Sequence, residues 1–253
     1  MTNSIELKSE TELKKMRVAG KATANILESL KSFIKPGVTT KDIDTEVFKQ
    51  ISSLNMKPAF LGYGGFPASA CVSVNDELVH GIPNDSCELS SGDIVTVDIG
   101  TIYEGYYSDS AFTYPVGNIS NEAKKLLQVT EDSLYKAIEQ VKPGNRLGDV
   151  SYAVQSYVEP LGYSVVRDYC GHGLGRHLHE EPSVPNYGKP GTGPRLLPGM
   201  VIAIEPMVNI GKYYVNILTN NWTVVTRDGS LCAHFEHTVA VTKDGYAILT
   251  KLW

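Results

Sequence analysis

Gly92-Asp-Ile-Val-Thr-Val-Asp98 and, 107 positions later, Gly199-Met-Val-Ile-Ala-Ile-Glu205 decide how this chain reads. Each stretch opens on glycine, runs through β-branched residues and closes on an acid. Such runs predict buried strands. A carboxylate at the end of a buried strand is costly unless something positive neutralises it. The same offset of 107 relates Lys35-Pro36-Gly37 to Lys142-Pro143-Gly144. Each of these is followed by an amphipathic stretch, Ile43, Val47 and Ile51 in the first and Val150, Val154 and Val158 in the second. Two separate features with one offset argue for duplicated halves, each built of helices then strands.

Each half contributes two acids. Asp109 and Glu236 precede alternating strands that end near Gly117 and Gly245. His172 lies within Gly171-His172-Gly173. Any one strand-end acid is equally well read as a solvated or satisfied structural carboxylate. Four acids and an imidazole together suit two divalent metal ions, which share and activate one water for hydrolysis. The oxygen-rich set with one nitrogen fits Mn, Fe(II), Co or Zn. The lack of thiolate ligands argues against a closed structural zinc site.

Length and composition set the frame. The chain has 253 residues, enough for one large core, and we expect a single catalytic domain over 1–253. A net charge of −5 leaves no basic footprint for nucleic acid. No apolar run approaches membrane-spanning length, and Met1 to Lys15 has no signal-peptide core. The four cysteines show no CxxC spacing. They read as free thiols of a reducing, cytoplasmic compartment.

Ser9 to Glu12 reads as a capping box opening a helix that continues through Ile26, Leu27, Leu30 and Ile34 and stops at Lys35-Pro36-Gly37. Thr40 is expected to cap a second helix through Leu54. Ser120 begins a third (Leu127, Leu134, Ile138) and Leu147 a fourth. Asp98 and Asp109 are symmetric about Tyr103-Glu104, so a hairpin there sets them opposite each other. Pro185 to Pro198 reads as a surface loop. The fold class is α+β, with a curved antiparallel sheet and helices on its outer face.

These motifs together resemble the methionine aminopeptidases, metallopeptidases of the pita-bread fold. The pieces are His80-Gly81-Ile82-Pro83, Asp98-Ile99-Gly100, Tyr107-Ser108-Asp109, Gly171-His172-Gly173-Leu174-Gly175, His179-Glu180-Glu181-Pro182, Glu205-Pro206 and Glu236-His237-Thr238. Each is weak alone; their order and spacing across nearly the whole chain are specific. The spacing of 33 from His172 to Glu205 leaves no room for the helical insertion of type II members, so type I is implied. The zinc-binding extension of eukaryotic cytosolic members has no counterpart, so the minimal bacterial form is expected. The resemblance implies removal of initiator methionine from nascent polypeptides, at the ribosome, by a cytoplasmic monomer. Proline-directed peptidases of the same fold are the nearest rival, but they usually carry an extra N-terminal domain. A metal-free binding module is a further rival; such a module loses ligands, whereas all five matching positions are kept here.

The resemblance also implies roles. Asp98, Asp109, His172, Glu205 and Glu236 would hold the metals, Glu205 doubling as proton shuttle. His80 and His179 would contact the substrate. Tyr63, Phe66, Cys71, His80, Leu178 and Trp222 would wall the methionine pocket, with Phe60 at its rim. The chain departs from the family at Phe60, often cysteine, at Phe66, usually tyrosine, and at Leu178, usually phenylalanine. A monovalent cation near Asn75 and Cys232 is a further family feature. His177 and His234 read as structural histidines. His237, next to a ligand, should face the other side of its strand.

Overall fold

Ser9 and Glu12 close the capping box as their spacing predicts. The Ser9 hydroxyl accepts the Glu12 N–H, and the Glu12 carboxylate accepts the Ser9 N–H. Helix α1 (Glu10–Phe33) follows and ends before Lys35-Pro36. Helix α2 (Thr40–Ser53) is capped one residue earlier than expected. Thr39 makes the box with Asp42, while the Thr40 hydroxyl donates to the Asn84 carbonyl. Helices α3 (Asn121–Ile138) and α4 (Leu147–Val158) begin where the sequence places them. The structure, a computed structural model, describes residues 4–252.

The duplication holds in the backbone. Gly37 and Gly144 both have left-handed φ, 90° and 95°. Their N–H groups donate to the carbonyls of Leu89 and Leu196, themselves 107 apart. Leu89 and Leu196 donate in return to Val38 and Asn145. Gly92 and Gly199 open the two acid-ending strands at φ 110° and 95°, a region where a Cβ would be strained.

Each half forms an antiparallel sheet. In the first, the strand Ile94–Tyr103 pairs with Lys57–Pro58, Ala70–Val74 and Tyr106–Pro115. In the second, Val201–Ile204 lies between His237–Thr242 and Gly171–Gly173, flanked by Gly245–Ile248 and Glu180–Val184. Strand side chains alternate between faces. Val95, Val97 and Ile99 pack with Ile26, Leu30, Ile43 and Val47 of α1 and α2. Ile202 and Ile204 pack with Leu134, Val150 and Val154 of α3 and α4. The helices therefore cover one face of each sheet, and Asp98 and Glu205 fall on the other.

The hairpin turns at Glu104-Gly105, both with positive φ, which suits a two-residue turn. Its register differs from the expected one. Asp98 pairs with Ala111, and Asp109 pairs with Gly100. The turn centre lies one residue later than the symmetry of the acids suggested. The two carboxylates are diagonal neighbours on one face instead of a directly opposed pair. In the second half His237 pairs with Ile204, so continuing that register by one step sets Glu205 against Glu236.

Hydrogen bonds then stitch the halves together at the acids. The Asp109 N–H donates to the Thr238 hydroxyl at 3.1 Å, and that hydroxyl donates to the Asp109 carbonyl at 2.7 Å. Glu236 N–H donates to the Ala111 carbonyl, and the Ser110 hydroxyl to the Glu236 carbonyl. The loop 185–198 is largely exposed, as expected, but Asn186 and Leu196 are buried. All four cysteines are free thiols. No helix among the described residues is long and apolar enough to cross a membrane.

Candidate active site

A cavity of about 180 Å³ opens where the two halves meet. Asp98, Asp109, His172, Glu205, Glu236, His80, His179, Tyr63, Phe66, Cys71, Trp222, Phe60 and Leu178 all line it. The structure thus brings every residue expected to hold metal, contact substrate or wall the methionine pocket to one place, while Asn75 and Cys232 lie outside it. Asp98 and Asp109 come from the first hairpin, His172 from Gly171–Gly173, and Glu205 and Glu236 from the ends of neighbouring strands.

Among the described residues no lysine or arginine pairs with Asp109 or Glu205, whose neighbours are imidazoles. Oδ1 of Asp98, Oδ1 of Asp109 and Oε1 of Glu236 are buried without a hydrogen-bond partner. His172 Nδ1–H donates to the Gly173 carbonyl at 2.9 Å, which leaves its Nε2 lone pair facing inward. That lone pair sits 3.6 Å from Asp109 Oδ2 and 3.7 Å from Glu205 Oε1. A lone pair aimed at carboxylate oxygens is repulsive unless a cation lies between them. Donor atoms of Asp109, His172 and Glu236 all fall within 4.8 Å of one another, the span of a shared ion. Hard oxygens with one imidazole match a divalent metal. The residues present therefore fit the divalent metal that the sequence implies.

Electrostatics agree. Without a cation, burial first and the neighbouring carboxylates second push Asp98, Glu205 and Glu236 well above the usual carboxylate range. Burial pushes Asp109 up to about 8. Burial also pulls His172, His80 and His179 down to about 4, so the imidazoles are neutral at pH 7. Neutral nitrogen donors and carboxylates that shed protons only to a stronger Lewis acid are what a metal centre requires.

The two remaining imidazoles flank the acids. His179 stacks near His172, ring centroids 4.2 Å apart, and its Nδ1 lies 2.7 Å from the Tyr63 hydroxyl. When that hydroxyl donates, the His179 proton sits on Nε2, free to donate to a bound carbonyl. His80 has φ 59°, a left-handed conformation uncommon for a residue with a Cβ. The following Gly81 permits the bend, since a Cβ there would lie 2.2 Å from the Val72 carbonyl oxygen.

Beside the acids lies an apolar slot. Phe60, Phe66, Cys71 and Leu178 are buried together, with Trp222 packed against them. Phe66 meets Trp222 edge-on at 5.2 Å. Two positions are exchanged relative to expectation. Phe60, expected at the rim, is only 7 % exposed and forms wall; Tyr63, expected in the wall, is 42 % exposed and stands at the mouth. Its hydroxyl still reaches His179 within the cavity, at 2.7 Å.

Histidine readings from sequence fare unequally. His237 faces the other side, bonded to Thr250 and Tyr135. His177 carries its backbone N–H to Glu180. His234 is not the satisfied structural histidine expected: it is 1 % exposed, its ring nitrogens have no hydrogen-bond partner, and Nε2 is 3.6 Å from Glu205 Oε2. Sequence reasoning also missed Asn186, whose amide donates to the Glu205 carbonyl, and Thr238. A lone asparagine in a Pro/Gly loop carries no signal; Thr238 stands in the motif Glu236-His237-Thr238, but nothing in the sequence shows its bond to Asp109.

Asn75 and Cys232 adjoin, with Cys232 N–H donating to the Asn75 carbonyl at 3.0 Å.

The sequence profile of metallopeptidase family M24 matches residues 14–243. Over 245 residues the chain is 56 % identical to methionine aminopeptidase 1 of Bacillus subtilis, covering 97 % of this chain and 98 % of that one. It is 53 % identical to a methionine aminopeptidase of Clostridium acetobutylicum, with coverage of 97 % and 98 %. The crystal structure of a methionine aminopeptidase from Thermotoga maritima superposes with a TM-score of 0.97 at 51 % identity, covering 98 % of this chain and all of the other. With its pita-bread fold and its cluster of buried acids, the chain belongs to metallopeptidase family M24.

Proposed function

We propose that this chain is a methionyl aminopeptidase that removes the initiator methionine from new polypeptides. The observation that carries the reading is the convergence of four acids, three of them with a buried oxygen that lacks a partner, three neutral imidazoles and an apolar slot on one cavity. Asp98, Asp109, His172, Glu205 and Glu236 would hold two divalent ions, drawn from Mn, Fe(II), Co or Zn. When bound, the metals activate water for attack on the methionyl carbonyl. Glu205 takes the proton from that water and passes it to the leaving amine. His179 and His80 donate hydrogen bonds to the carbonyl oxygen and the scissile amide, stabilising charge as it develops.

Phe60, Phe66, Cys71, Leu178 and Trp222 bury the methionine side chain, its sulfur against aromatic edges. Tyr63 closes the mouth and fixes the His179 tautomer. A second residue must pass close to His80 and His179, so alanine, glycine or serine is favoured there over lysine or leucine. The whole chain acts as one catalytic domain, a cytoplasmic monomer working on nascent chains at the ribosome. A monovalent cation near Asn75 and Cys232 belongs to the same reading.

The test is hydrolysis of Met-Ala-Ser, Ala-Ala-Ser and Met-Lys-Ser by chelated and metal-restored protein. Truncating methionine to alanine removes about 2–3 kcal/mol of transfer free energy, or about 30- to 150-fold in kcat/KM. Chelation should abolish cleavage and divalent metal should restore it. Equal rates for Met and Ala would rule out methionine excision, and a strong Xaa-Pro preference would favour the proline-directed rival.

A further inference from the structure

His234 is a buried polar side chain that the reaction as drawn does not use. It ends the strand Cys232–His234, opposite Met207. Its backbone is clamped: N–H donates to the Thr113 hydroxyl at 3.1 Å, and its carbonyl accepts from that hydroxyl at 2.7 Å. Thr113 is itself tied to Thr96 at 2.8 Å, within the hairpin that carries Asp98 and Asp109. The ring is thus held from the opposite half of the molecule, yet neither of its nitrogens has a hydrogen-bond partner. Buried imidazole nitrogens without partners are uncommon in folded proteins.

Glu205 is the acid that Nε2 approaches, with Oε2 at 3.6 Å. The other oxygen, Oε1, faces His172 Nε2 at 3.7 Å. The carboxylate is therefore bracketed by two imidazoles, one per oxygen. His172 spends its Nδ1–H on the Gly173 carbonyl and presents a lone pair. His234 has no such backbone acceptor, so its ring is free to place a proton on Nε2. It is buried and is not among the residues that line the cavity. Closing the gap by roughly half an ångström makes a hydrogen bond.

We propose that His234 is a positioning residue for Glu205: its Nε2–H is aimed at Oε2 and holds the carboxylate so that Oε1 turns toward the other acids. This rests on the proton-shuttle role given to Glu205 above. With Oε2 held, the carboxylate keeps one orientation, with Oε1 on the metal-binding side. An unrestrained carboxylate rotates and presents either oxygen, and misplaced geometry is expensive for proton transfer.

The experiment compares His234→Leu with His234→Gln, both loaded with Mn(II), on Met-Ala-Ser. Leucine keeps the volume and removes the donor; glutamine supplies an amide N–H of similar reach. His234→Leu should lower kcat about 10- to 100-fold, in the range of a lost partner that orients a metal-binding carboxylate. KM and Mn per chain should stay within about twofold, and His234→Gln should regain most of kcat. Unchanged kcat in His234→Leu overturns the proposal, and so does a glutamine variant as slow as the leucine one. Parallel loss of Mn in both variants would make His234 a ligand instead. A second readout covers a misfolded leucine variant: ¹⁵N-histidine spectra of the wild type. The His234 signal, assigned by its loss in His234→Gln, should show a proton on Nε2 whose shift moves in Glu205→Gln. A proton on Nδ1 alone, or no response to Glu205→Gln, overturns the contact. That spectrum reads the contact whether or not peptide is cleaved, whereas wild-type protein inert toward Met-Ala-Ser with every metal would sink the proposed function.

Discussion

Carboxylates of one type occupy two kinds of setting in this chain, and burial separates them. Glu12 is only half-buried, and hydrogen bonds from Tyr106 and Ser9 lower it to about 2. Asp109 is buried with one oxygen partnerless and is pushed up to about 8. The difference predicts which substitutions uncouple metal from chemistry. Asp109→Asn and Glu236→Gln replace anionic donors by neutral amides, so metal content and activity should fall together, measured as metal per chain and kcat. His179→Ala should keep its metal and lose about 10²-fold or more in kcat, since only a hydrogen-bond donor disappears. Metal loss in that variant would reassign His179 as a ligand. At this scale the chain was largely readable: the acids and imidazoles stand inside recognisable short motifs. His234 escaped because a histidine two residues before a ligand carries no sign of where its ring points.

The elements that carry His179 are held by an arm near the start of the chain. Lys8 donates its backbone N–H to the Gly199 carbonyl at 2.7 Å. Its ammonium is buried against Glu180, whose other oxygen accepts the His177 N–H at 3.0 Å. The loop 177–180 that presents His179 is thus tied to the arm through one ion pair. Breaking a buried pair from one side leaves an uncompensated charge, at a cost of about 3 kcal/mol or more. Lys8→Met should lower Tm by about 6–12 °C and reduce kcat through His179. A Tm within about 2 °C of wild type, read by calorimetry, would mean that the pair contributes little. Nothing in Glu6-Leu7-Lys8 announced this contact, because its partner lies 172 positions away. Helix starts were legible, since caps are local; Thr39 displaced Thr40 only because the Thr40 hydroxyl had a distant carbonyl to reach. The hairpin was legible as a hairpin, but its register depended on the positive φ of Glu104 and Gly105.

For the whole molecule, joining the halves concentrates negative charge at one point, and stability follows pH accordingly. In metal-free protein the buried acids sit above their ordinary values of 3.8 and 4.5. A raised carboxylate favours the folded state fully below its unfolded value, and that contribution is lost as pH rises through the folded one. For Asp109 the window runs from about 4 to about 8. The imidazoles act oppositely. His80, His172 and His179 drop from 6.5 to about 4, so their contribution is present above 6.5 and lost as pH falls through 4. Above about pH 6.5 the histidine contribution is complete and only the acids still titrate, so the Tm of chelated protein should fall from about pH 6.5 to about pH 8. Divalent metal displaces the same protons, so the Tm gain on adding Mn(II) should be larger at about pH 8 than at about pH 6. Equal gains at both pH values in calorimetry would contradict a centre built from raised carboxylates.

The sequence by itself determined the local and the periodic. The 107-residue offset, the helix caps, the apolar strands ending in acids and the apolar character of the slot all rest on short-range rules of backbone and burial. Tertiary structure decided what meets what. It chose the diagonal register of Asp98 and Asp109, the exchange of Phe60 and Tyr63 between wall and mouth, and the bracketing of Glu205 by His172 and His234. These depend on how two sheets dock through Thr238, Ser110 and Thr113, contacts more than 100 residues apart in the chain. Periodicity tells which face a side chain occupies; only packing between distant elements tells which neighbour it finds there.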